Sequence, residues 1–186
     1  MKIVVMTRPT FFVEEDKILS ALFDEGLDDL HLLKPGAEAV YYERLLMLLP
    51  EDCRRRVTIH EHYHLKNEYD LAGIHLPTAT APLPDGYRGS YSRSCPELDS
   101  IKATKKKSRY VFVDRQQAAE AARMGLVDKR VYAVGDVTID NIKEMRNLGL
   151  GGVVVCADLW NRFDILNHTD YRELLRHFER LRRAAS

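Results

Sequence analysis

Three histidines and one glutamate are concentrated in the segment His60-Glu61-His62-Tyr63-His64. In an extended chain alternate side chains share a face, so His60, His62 and His64 could bind zinc through their imidazoles. The apolar run before them ends near His60, however, so ordinary surface or crevice histidines are the other interpretation. A third interpretation makes His60 and Glu61 the acid and base of a small-molecule isomerase.

His75 lies inside the apolar run Gly73-Ile74-His75-Leu76. Such a residue is either a hydrogen-bonded core histidine or a further acid–base group that lines a pocket. Both interpretations stay open at this stage.

A second region suits an anion. Gly135 ends an apolar run, and a helix is predicted to begin at Thr138. Glycine lets the backbone approach a ligand, and a helix N-terminus favours negative charge. Ala157 and Asp158 follow the next apolar run and would add further amides, which together predict a phosphate site. A capped helix without a ligand is the alternative, and the Asp136 carboxylate favours it because it would repel phosphate.

The elements that position these residues alternate between short apolar runs and amphipathic helical runs. The predicted strands cover residues 2–6, 29–33, 56–60, 73–76, 87–91, 110–113, 131–134 and 152–156. Predicted helices cover about 10–26, 37–49, 64–70, 97–107, 116–124, 138–148 and 169–183. Between the fourth and fifth strands, residues 77–86 carry three prolines and are predicted to form a loop.

Strict alternation of this kind implies parallel strands joined by helical crossovers. Eight units predict an α/β fold, a TIM (βα)8 barrel, as a single domain over residues 1–186. Such barrels usually need about 250 residues, so this one is compact. An open, doubly wound sheet is the alternative. In a barrel the candidate residues would meet at the carboxyl ends of the strands, among them Arg8, Lys34 and Ser94.

Composition excludes several classes of protein. Lys and Arg total 28, as do Asp and Glu, so the net charge is zero and we expect no nucleic-acid partner. No apolar run approaches the roughly 20 residues of a membrane span, and the first run is too short for a signal peptide. The three widely spaced cysteines are not a disulfide framework. We therefore expect a cytoplasmic protein with no membrane partner.

Motifs along nearly the whole chain resemble those of one family. They are Leu-His-Leu-Leu-Lys at 30–34, Ile-His-Glu-His at 59–62, Gly-Ile-His-Leu at 73–76, Ser-Arg-Ser-Cys at 92–95, Tyr-Val-Phe-Val at 110–113 and the block 135–160. The most characteristic part is the helix start Thr138-x-x-Asn141-Ile142, followed by Gly149 and Gly152. In these motifs the chain resembles the thiamine phosphate synthase family, including its thiazole tautomerase branch.

The resemblance implies a (βα)8 barrel and a transferase of thiamine biosynthesis. Enzymes of this family join an aminopyrimidine diphosphate to a thiazole phosphate with the help of Mg²⁺. The implied partners are therefore small phosphorylated substrates, and the family also suggests a homodimer.

The family motifs assign roles residue by residue. Lys34 keeps the positive charge of the second-strand motif, and Glu61 keeps the carboxylate expected to bind Mg²⁺. The complete predicted site comprises Lys34, His60 and His75 as catalytic residues, Ser94, Gly135, Ala157 and Asp158 as phosphate-binding residues, and Glu61 as the metal ligand.

The chain also departs from the family pattern. Leu33 stands where the motif has arginine, Thr80 where it has a second metal carboxylate, and Pro96 where it has histidine. The loop after the sixth strand is predicted to be shortened, which removes a lysine that Arg115 could replace. Loss of synthase activity would leave a non-catalytic phosphate- or thiazole-binding barrel with a regulatory role. A tautomerase-like isomerase is the other alternative, although the acid–base histidine of that branch belongs to the shortened loop.

Overall fold

Eight parallel strands form one closed barrel in chain order, with β8 pairing back onto β1. The structure, a computed structural model, describes residues 1–164 and 170–186. The strands are β1 Lys2–Met6, β2 Asp29–Leu32, β3 Val57–Ile59, β4 Gly73–Leu76, β5 Tyr91–Ser94, β6 Val111–Asp114, β7 Val131–Val134 and β8 Gly152–Val155. The predicted (βα)8 barrel is confirmed, and the alternative of an open, doubly wound sheet is wrong.

Helices cover the outside of the barrel. They are α1 Glu15–Asp24, α2 Ala39–Leu48, α3 Glu51–Arg54, α4 Leu65–Glu68, α5 Leu98–Lys107, α6 Ala118–Arg123, α7 Ile142–Asn147, α8 Ala157–Trp160 and α9 Arg172–Ala185. Only a three-residue 3-10 turn, Arg115–Gln117, joins β6 to α6, so the shortened loop is confirmed. Among the described residues, no helix has the length and apolar character needed to cross a membrane.

Two apolar layers hold the fold together. Outward-facing strand residues such as Ile3 and Val5 pack beneath the helices in the larger core. A separate inner cluster fills the barrel and consists of Val4, Tyr110, Phe112, Tyr132 and Val154. Since strand side chains alternate between the two faces, β1, β6, β7 and β8 contribute to both layers, whereas β2, β4 and β5 turn His31, His75 and Ser92 inward. The inner layer forms the floor beneath the carboxyl ends of the strands.

The fifth strand begins four residues later than predicted, because its sequence does not show an apolar pattern. β5 is Tyr-Ser-Arg-Ser, and Ser92 is buried inside the barrel, where it is hydrogen bonded to His75. Upstream, Tyr87 lies before the strand, and its hydroxyl donates to the Ser90 carbonyl at 2.6 Å. Because the barrel interior is polar at this strand, its sequence lacks the hydrophobic alternation by which a strand is usually recognised.

Two helix starts also differ from the prediction, and a third predicted start cannot be compared. α1 begins at Glu15 rather than near Thr10. α7 begins at Ile142 rather than at Thr138, and the Asn141 side-chain oxygen accepts a bond from the Thr138 amide at 3.0 Å. The predicted start of the last helix, at residue 169, lies outside the described residues.

Candidate active site at the barrel mouth

Three histidines from neighbouring strands meet inside the barrel, and we call His31, His60 and His75 the imidazole cluster. His31 belongs to β2, His75 to β4, and His60 directly follows β3. His31 Nδ1 lies 2.8 Å from His60 Nε2, and the His60 and His75 rings stack with their centroids 4.4 Å apart. The structure thus brings together the two predicted catalytic histidines, with a third that the sequence analysis did not select.

Polar groups deeper in the barrel anchor this cluster. His31 Nε2 lies 2.6 Å from the Tyr110 hydroxyl, which is 3.0 Å from an Asp29 carboxylate oxygen. His75 is held differently, by the hydroxyls of Ser92 at 2.8 Å and Ser94 at 2.9 Å. Each ring is therefore fixed in orientation by hydrogen bonds to neighbouring strands.

Burial keeps the cluster uncharged at neutral pH. Removal from water lowers the pKa of His60 to about 3. The same cause lowers the pKa of His31 and of His75 well below 6.5, and the neighbouring imidazoles add to the effect. The rings beneath the mouth are consequently neutral, and His60, which is half-buried, can accept and donate hydrogen bonds but is a poor general acid at pH 7.

One nitrogen from each ring of the cluster lies within 4.8 Å of the other two, a spacing that could hold a metal ion. It is the only such group found in residues 1–164 and 170–186. The planes of the His60 and His75 rings are inclined by only 26°. The nitrogens of the two rings therefore do not point toward one common metal position. The predicted grouping of His60 with His62 and His64 is not formed, because His62 Nε2 is bonded to the Ala37 carbonyl at 2.7 Å and His64 is exposed.

Lys34 is buried beside the mouth rather than open to it. Its ammonium lies 2.5 Å from Glu15 Oε1 and donates to the Thr10 carbonyl at 3.0 Å. The Phe11 ring covers it, with the centroid 4.7 Å away. Burial raises the pKa of Glu15 to about 7 and lowers that of Lys34, while the pairing opposes both shifts. The catalytic role predicted for Lys34 stays a prediction, and it would require this ion pair to open.

Glu61 follows His60 at the same end of β3, and its Oε2 lies 2.7 Å from the Tyr42 hydroxyl. Among the described residues, Glu61 belongs to no group of three carboxylate, histidine or cysteine ligands. Mg²⁺ prefers oxygen ligands and often takes only one or two protein carboxylates when substrate phosphates complete its coordination. Glu61 therefore fits a magnesium ion held mainly by a phosphorylated substrate, and it does not fit an all-protein magnesium site.

Arg8 supplies a cation at the mouth. It follows β1, is half-buried, and has no hydrogen-bond or ion-pair partner among the described residues. The Thr7 hydroxyl bridges to the amide and carbonyl of Leu33, so the ends of β1 and β2 are locked side by side. Arg8 thus stands next to Leu33, the position where the family motif has arginine.

The predicted phosphate residues divide between two places. Gly135, Ala157 and Asp158 line a cavity of about 350 Å³ at the ends of β7 and β8. Ser94 does not line that cavity and is instead bonded to His75. The Asp158 carboxylate accepts from the Ile139 amide at 3.1 Å and from His177 Nε2 at 2.7 Å, so it holds the surrounding loops together.

Negative charge also borders this cavity. Asp136 adopts a positive φ of 46° directly after Gly135, and a Cβ placed on Gly135 would lie 3.5 Å from the Asp114 carboxylate. A phosphate in the cavity would need a compensating cation. The positive charge of Arg8 acts on Cys156, which lines the cavity, and opposes the rise in the pKa of that thiol that burial causes.

Asp29, His31 and Tyr110 were missed as site residues, yet the sequence contains a signal for them. In Asp29-Leu30-His31-Leu32 a period of two places the polar residues on one face and the leucines on the other. A strand whose polar face lies toward a barrel interior is expected to show this alternation of polar and apolar residues.

A closed parallel barrel with polar residues converging at the carboxyl ends of its strands defines a (βα)8-barrel protein. The structure is similar to that of thiamine phosphate pyrophosphorylase from Bacteroides thetaiotaomicron, with a TM-score of 0.92, 44% sequence identity, and coverage of 100% of this chain and 98% of that one. The chain belongs to the thiamine phosphate pyrophosphorylase family, which is the thiamine phosphate synthase family.

More distant structures share the fold alone. Thiamine phosphate pyrophosphorylase from Pyrococcus furiosus has a TM-score of 0.77 at 14% identity, covering 99% of this chain and 95% of that one. 3-Hexulose-6-phosphate synthase has a TM-score of 0.66 at 11% identity, covering 100% of both chains. No protein-family model and no curated protein sequence matches the chain.

Proposed function

We propose that the protein is a thiamine phosphate synthase that joins an aminopyrimidine diphosphate to a thiazole phosphate. The observation that carries the proposal is the 44% identity, over the whole chain, to thiamine phosphate pyrophosphorylase. The geometry of the mouth supports each part of the reaction with residues of this chain.

The bond changes of this reaction require no proton transfer. The bond between the pyrimidine methylene carbon and the diphosphate oxygen breaks, and the electron pair leaves with diphosphate. The thiazole nitrogen then donates its lone pair to the cationic carbon and forms the new C–N bond. A site for this chemistry has to stabilise the leaving group and avoid placing positive charge beside the cation.

The imidazole cluster meets the second requirement. Its three rings stay neutral, and the half-buried His60 is the ring that an aminopyrimidine can reach, because His31 and His75 are almost completely buried behind it. In this proposal His60 is a catalytic residue because it contacts the pyrimidine, not because it transfers protons, and His75 positions the His60 ring by stacking on it.

Arg8 and Glu61 would serve the leaving group. Arg8 offers a guanidinium without a partner among the described residues, suited to paired hydrogen bonds with a diphosphate. Glu61 would contribute the protein ligand for Mg²⁺, which, when bound, neutralises charge on the departing diphosphate. The thiazole phosphate would occupy the cavity lined by Gly135, Ala157 and Asp158, with backbone amides as donors, while Ser94 acts through its bond to His75.

The isomerase alternative receives less support from the same geometry. An acid–base catalyst works best with a pKa near the working pH, whereas burial lowers the pKa of His60 to about 3. A non-catalytic binding barrel differs from the synthase only in turnover, so a turnover assay distinguishes the two.

The test is a coupled assay with purified protein, aminopyrimidine diphosphate, thiazole phosphate and Mg²⁺, scored for thiamine phosphate. We expect turnover, and a loss of 10²-fold or more in Arg8→Ala, the typical cost of removing one charge-stabilising contact. Arg123→Ala is the matched control, because Arg123 is exposed on α6 and pairs with Glu120 of its own helix. Absence of turnover in the wild type, together with thermal stabilisation by thiazole phosphate, would contradict the synthase and establish a binding barrel.

A further inference from the structure

A continuous chain of hydrogen bonds runs from the amino-terminal end of the barrel to its mouth. It begins at Asp29, the first residue of β2, and passes through Tyr110 and His31 to His60. The successive distances are 3.0, 2.6 and 2.8 Å. Because each link has one donor and one acceptor, the protonation of one end determines the direction of every link.

The starting point of the chain is a carboxylate. Asp29 receives the Thr58 hydroxyl at 3.0 Å on one oxygen, and on the other it receives the Tyr110 hydroxyl and the Arg109 guanidinium at 3.1 Å. Burial raises the pKa of Asp29, but three donors, one of them charged, oppose that rise and stabilise the ionised form, which can only accept. The Tyr110 hydroxyl therefore donates its single hydrogen bond to Asp29, and its oxygen accepts a hydrogen bond from His31 Nε2.

His31 is neutral on structural grounds. The residue is fully buried, and its ring contacts a hydroxyl, two imidazoles and the Phe112 ring, with no carboxylate among the described residues. A buried imidazolium without a counterion is strongly disfavoured. With its one proton on Nε2, His31 has a bare Nδ1, so the proton between the two rings belongs to His60 Nε2.

The same logic fixes the last atom of the chain. Unless it gains a second proton, His60 carries none on Nδ1, and that nitrogen has no partner among the described residues. The ring is half-buried at the end of β3, the mouth of the barrel.

We propose that the Asp29–Tyr110–His31 chain locks His60 in one tautomer, so that Nδ1 is an obligate acceptor that recognises an amino or N–H group on a flat heterocyclic substrate. Asp29, Tyr110 and His31 are positioning residues that act through His60. The identification of the donor as the amino group of an aminopyrimidine rests on the proposed function, whereas the tautomer does not.

The tautomer is measured directly in the wild-type protein. Long-range ¹H–¹⁵N spectra of ¹⁵N-histidine-labelled protein at pH 7.5 distinguish a protonated from a bare ring nitrogen. We expect both His31 and His60 to carry the proton on Nε2. A proton on His60 Nδ1 would overturn the inference, and no variant has to fold for that result to be read.

The recognition step is tested with two fragment probes, 4-aminopyrimidine and unsubstituted pyrimidine, titrated while the His60 signals are followed. We expect the amino compound to bind about tenfold more tightly, the fold-change of one good hydrogen bond. Tyr110→Phe removes the acceptor for His31 Nε2 and is expected to yield mixed tautomers at His60 and a preference of less than threefold.

Tyr132→Phe is the matched control. Tyr132 stacks on Tyr110 with centroids 4.4 Å apart, and its hydroxyl has no hydrogen bond among the described residues, so both tautomer and preference should persist. Equal binding of the probes, or no binding, would overturn the recognition step even in a protein that turns over. The expected tautomer and preference in a protein without turnover would support the inference and contradict only the proposed function.

Discussion

The buried ion pair of Lys34 and Glu15 gives a quantitative prediction about stability. Removing one partner of such a pair costs 3 to 5 kcal/mol, roughly, because the other charge is left buried without compensation. In Lys34→Met the Glu15 carboxylate would lose its cation, and its Oε2 already has no hydrogen-bond partner. Since the pKa of Glu15 is already raised to about 7, the group can neutralise itself by taking up a proton. We therefore expect a cost near the lower end, about 3 kcal/mol at pH 7.

Urea unfolding measures this cost. With a slope of about 2 kcal/mol per molar urea, Lys34→Met should lower the midpoint by about 1.5 M without changing the slope. The double variant Lys34→Met/Glu15→Met replaces the pair by apolar side chains of similar volume and should return to within about 1 kcal/mol of the wild type. A single variant that loses less than 1 kcal/mol, or a double variant no more stable than the single one, would refute the buried pair.

The double variant also tests the catalytic role predicted for Lys34. Because it restores stability without restoring the ammonium, a loss of turnover in it would be chemical rather than structural. A 10²-fold loss would mean that the pair opens during the reaction and that Lys34 reaches the diphosphate. Turnover near the wild-type rate would restrict Lys34 to supporting the end of β2.

Three further predictions follow from the site and its supports. Below pH 6.5 each ring of the imidazole cluster stays unprotonated in the folded protein while its unfolded counterpart binds a proton. Stability should therefore fall by about 1.4 kcal/mol per pH unit for each ring, or about 4 kcal/mol per pH unit for all three. Glu15 opposes this fall by about 1.4 kcal/mol per pH unit between pH 7 and 4.5. Urea midpoints from pH 7 to 4 check the sign, and a midpoint that rises on acidification would contradict it. Gly73→Ala should cost 1 to 3 kcal/mol, roughly, because the new Cβ would lie 2.4 Å from the Ser90 carbonyl oxygen, and an unchanged melting temperature would disprove the clash. Glu61→Gln keeps an acceptor for the Tyr42 hydroxyl but removes the negative charge, so stability should change by less than about 0.5 kcal/mol. The Mg²⁺ concentration for half-maximal turnover should rise several-fold. An unchanged magnesium dependence would exclude Glu61 as a ligand.

The barrel was predictable because its evidence is local and repeated. Each apolar run and each amphipathic run can be recognised separately, and parallel strands with helical crossovers leave few topologies. β1, β4 and β7 have the bounds that their sequences predict. The predicted bounds of the fifth strand were wrong for a physical reason. Ser92 and Ser94 face polar partners inside the barrel, so the strand lacks the expected alternation of apolar and polar residues.

The site was predictable only in part, because its decisive contacts join residues far apart in the chain. His60, Glu61 and His75 could be placed at or near strand ends from their own segments. The pairing of Lys34 with Glu15 involves a residue on α1, 19 positions earlier, and the bond between His31 and Tyr110 spans 79 positions. Sequence spacing carries no information on such contacts, although the composition of β2 shows that one of its faces is polar.

The placement of charge along the barrel axis connects these observations to the proposed chemistry. The Asp29 carboxylate meets the Arg109 guanidinium at the amino-terminal end, so the charges that anchor the hydrogen-bonded chain compensate each other there. Above that pair the chain continues through neutral groups only, a phenol and two imidazoles. The hydrogen-bonded chain thus reaches the mouth without net charge, and the Arg8 guanidinium stays at the rim after β1, whereas the Lys34 ammonium is buried in its ion pair with Glu15. A substrate whose reacting carbon becomes positive would rest on the uncharged floor while its departing diphosphate faces the rim, which is the division of charge that C–O cleavage requires.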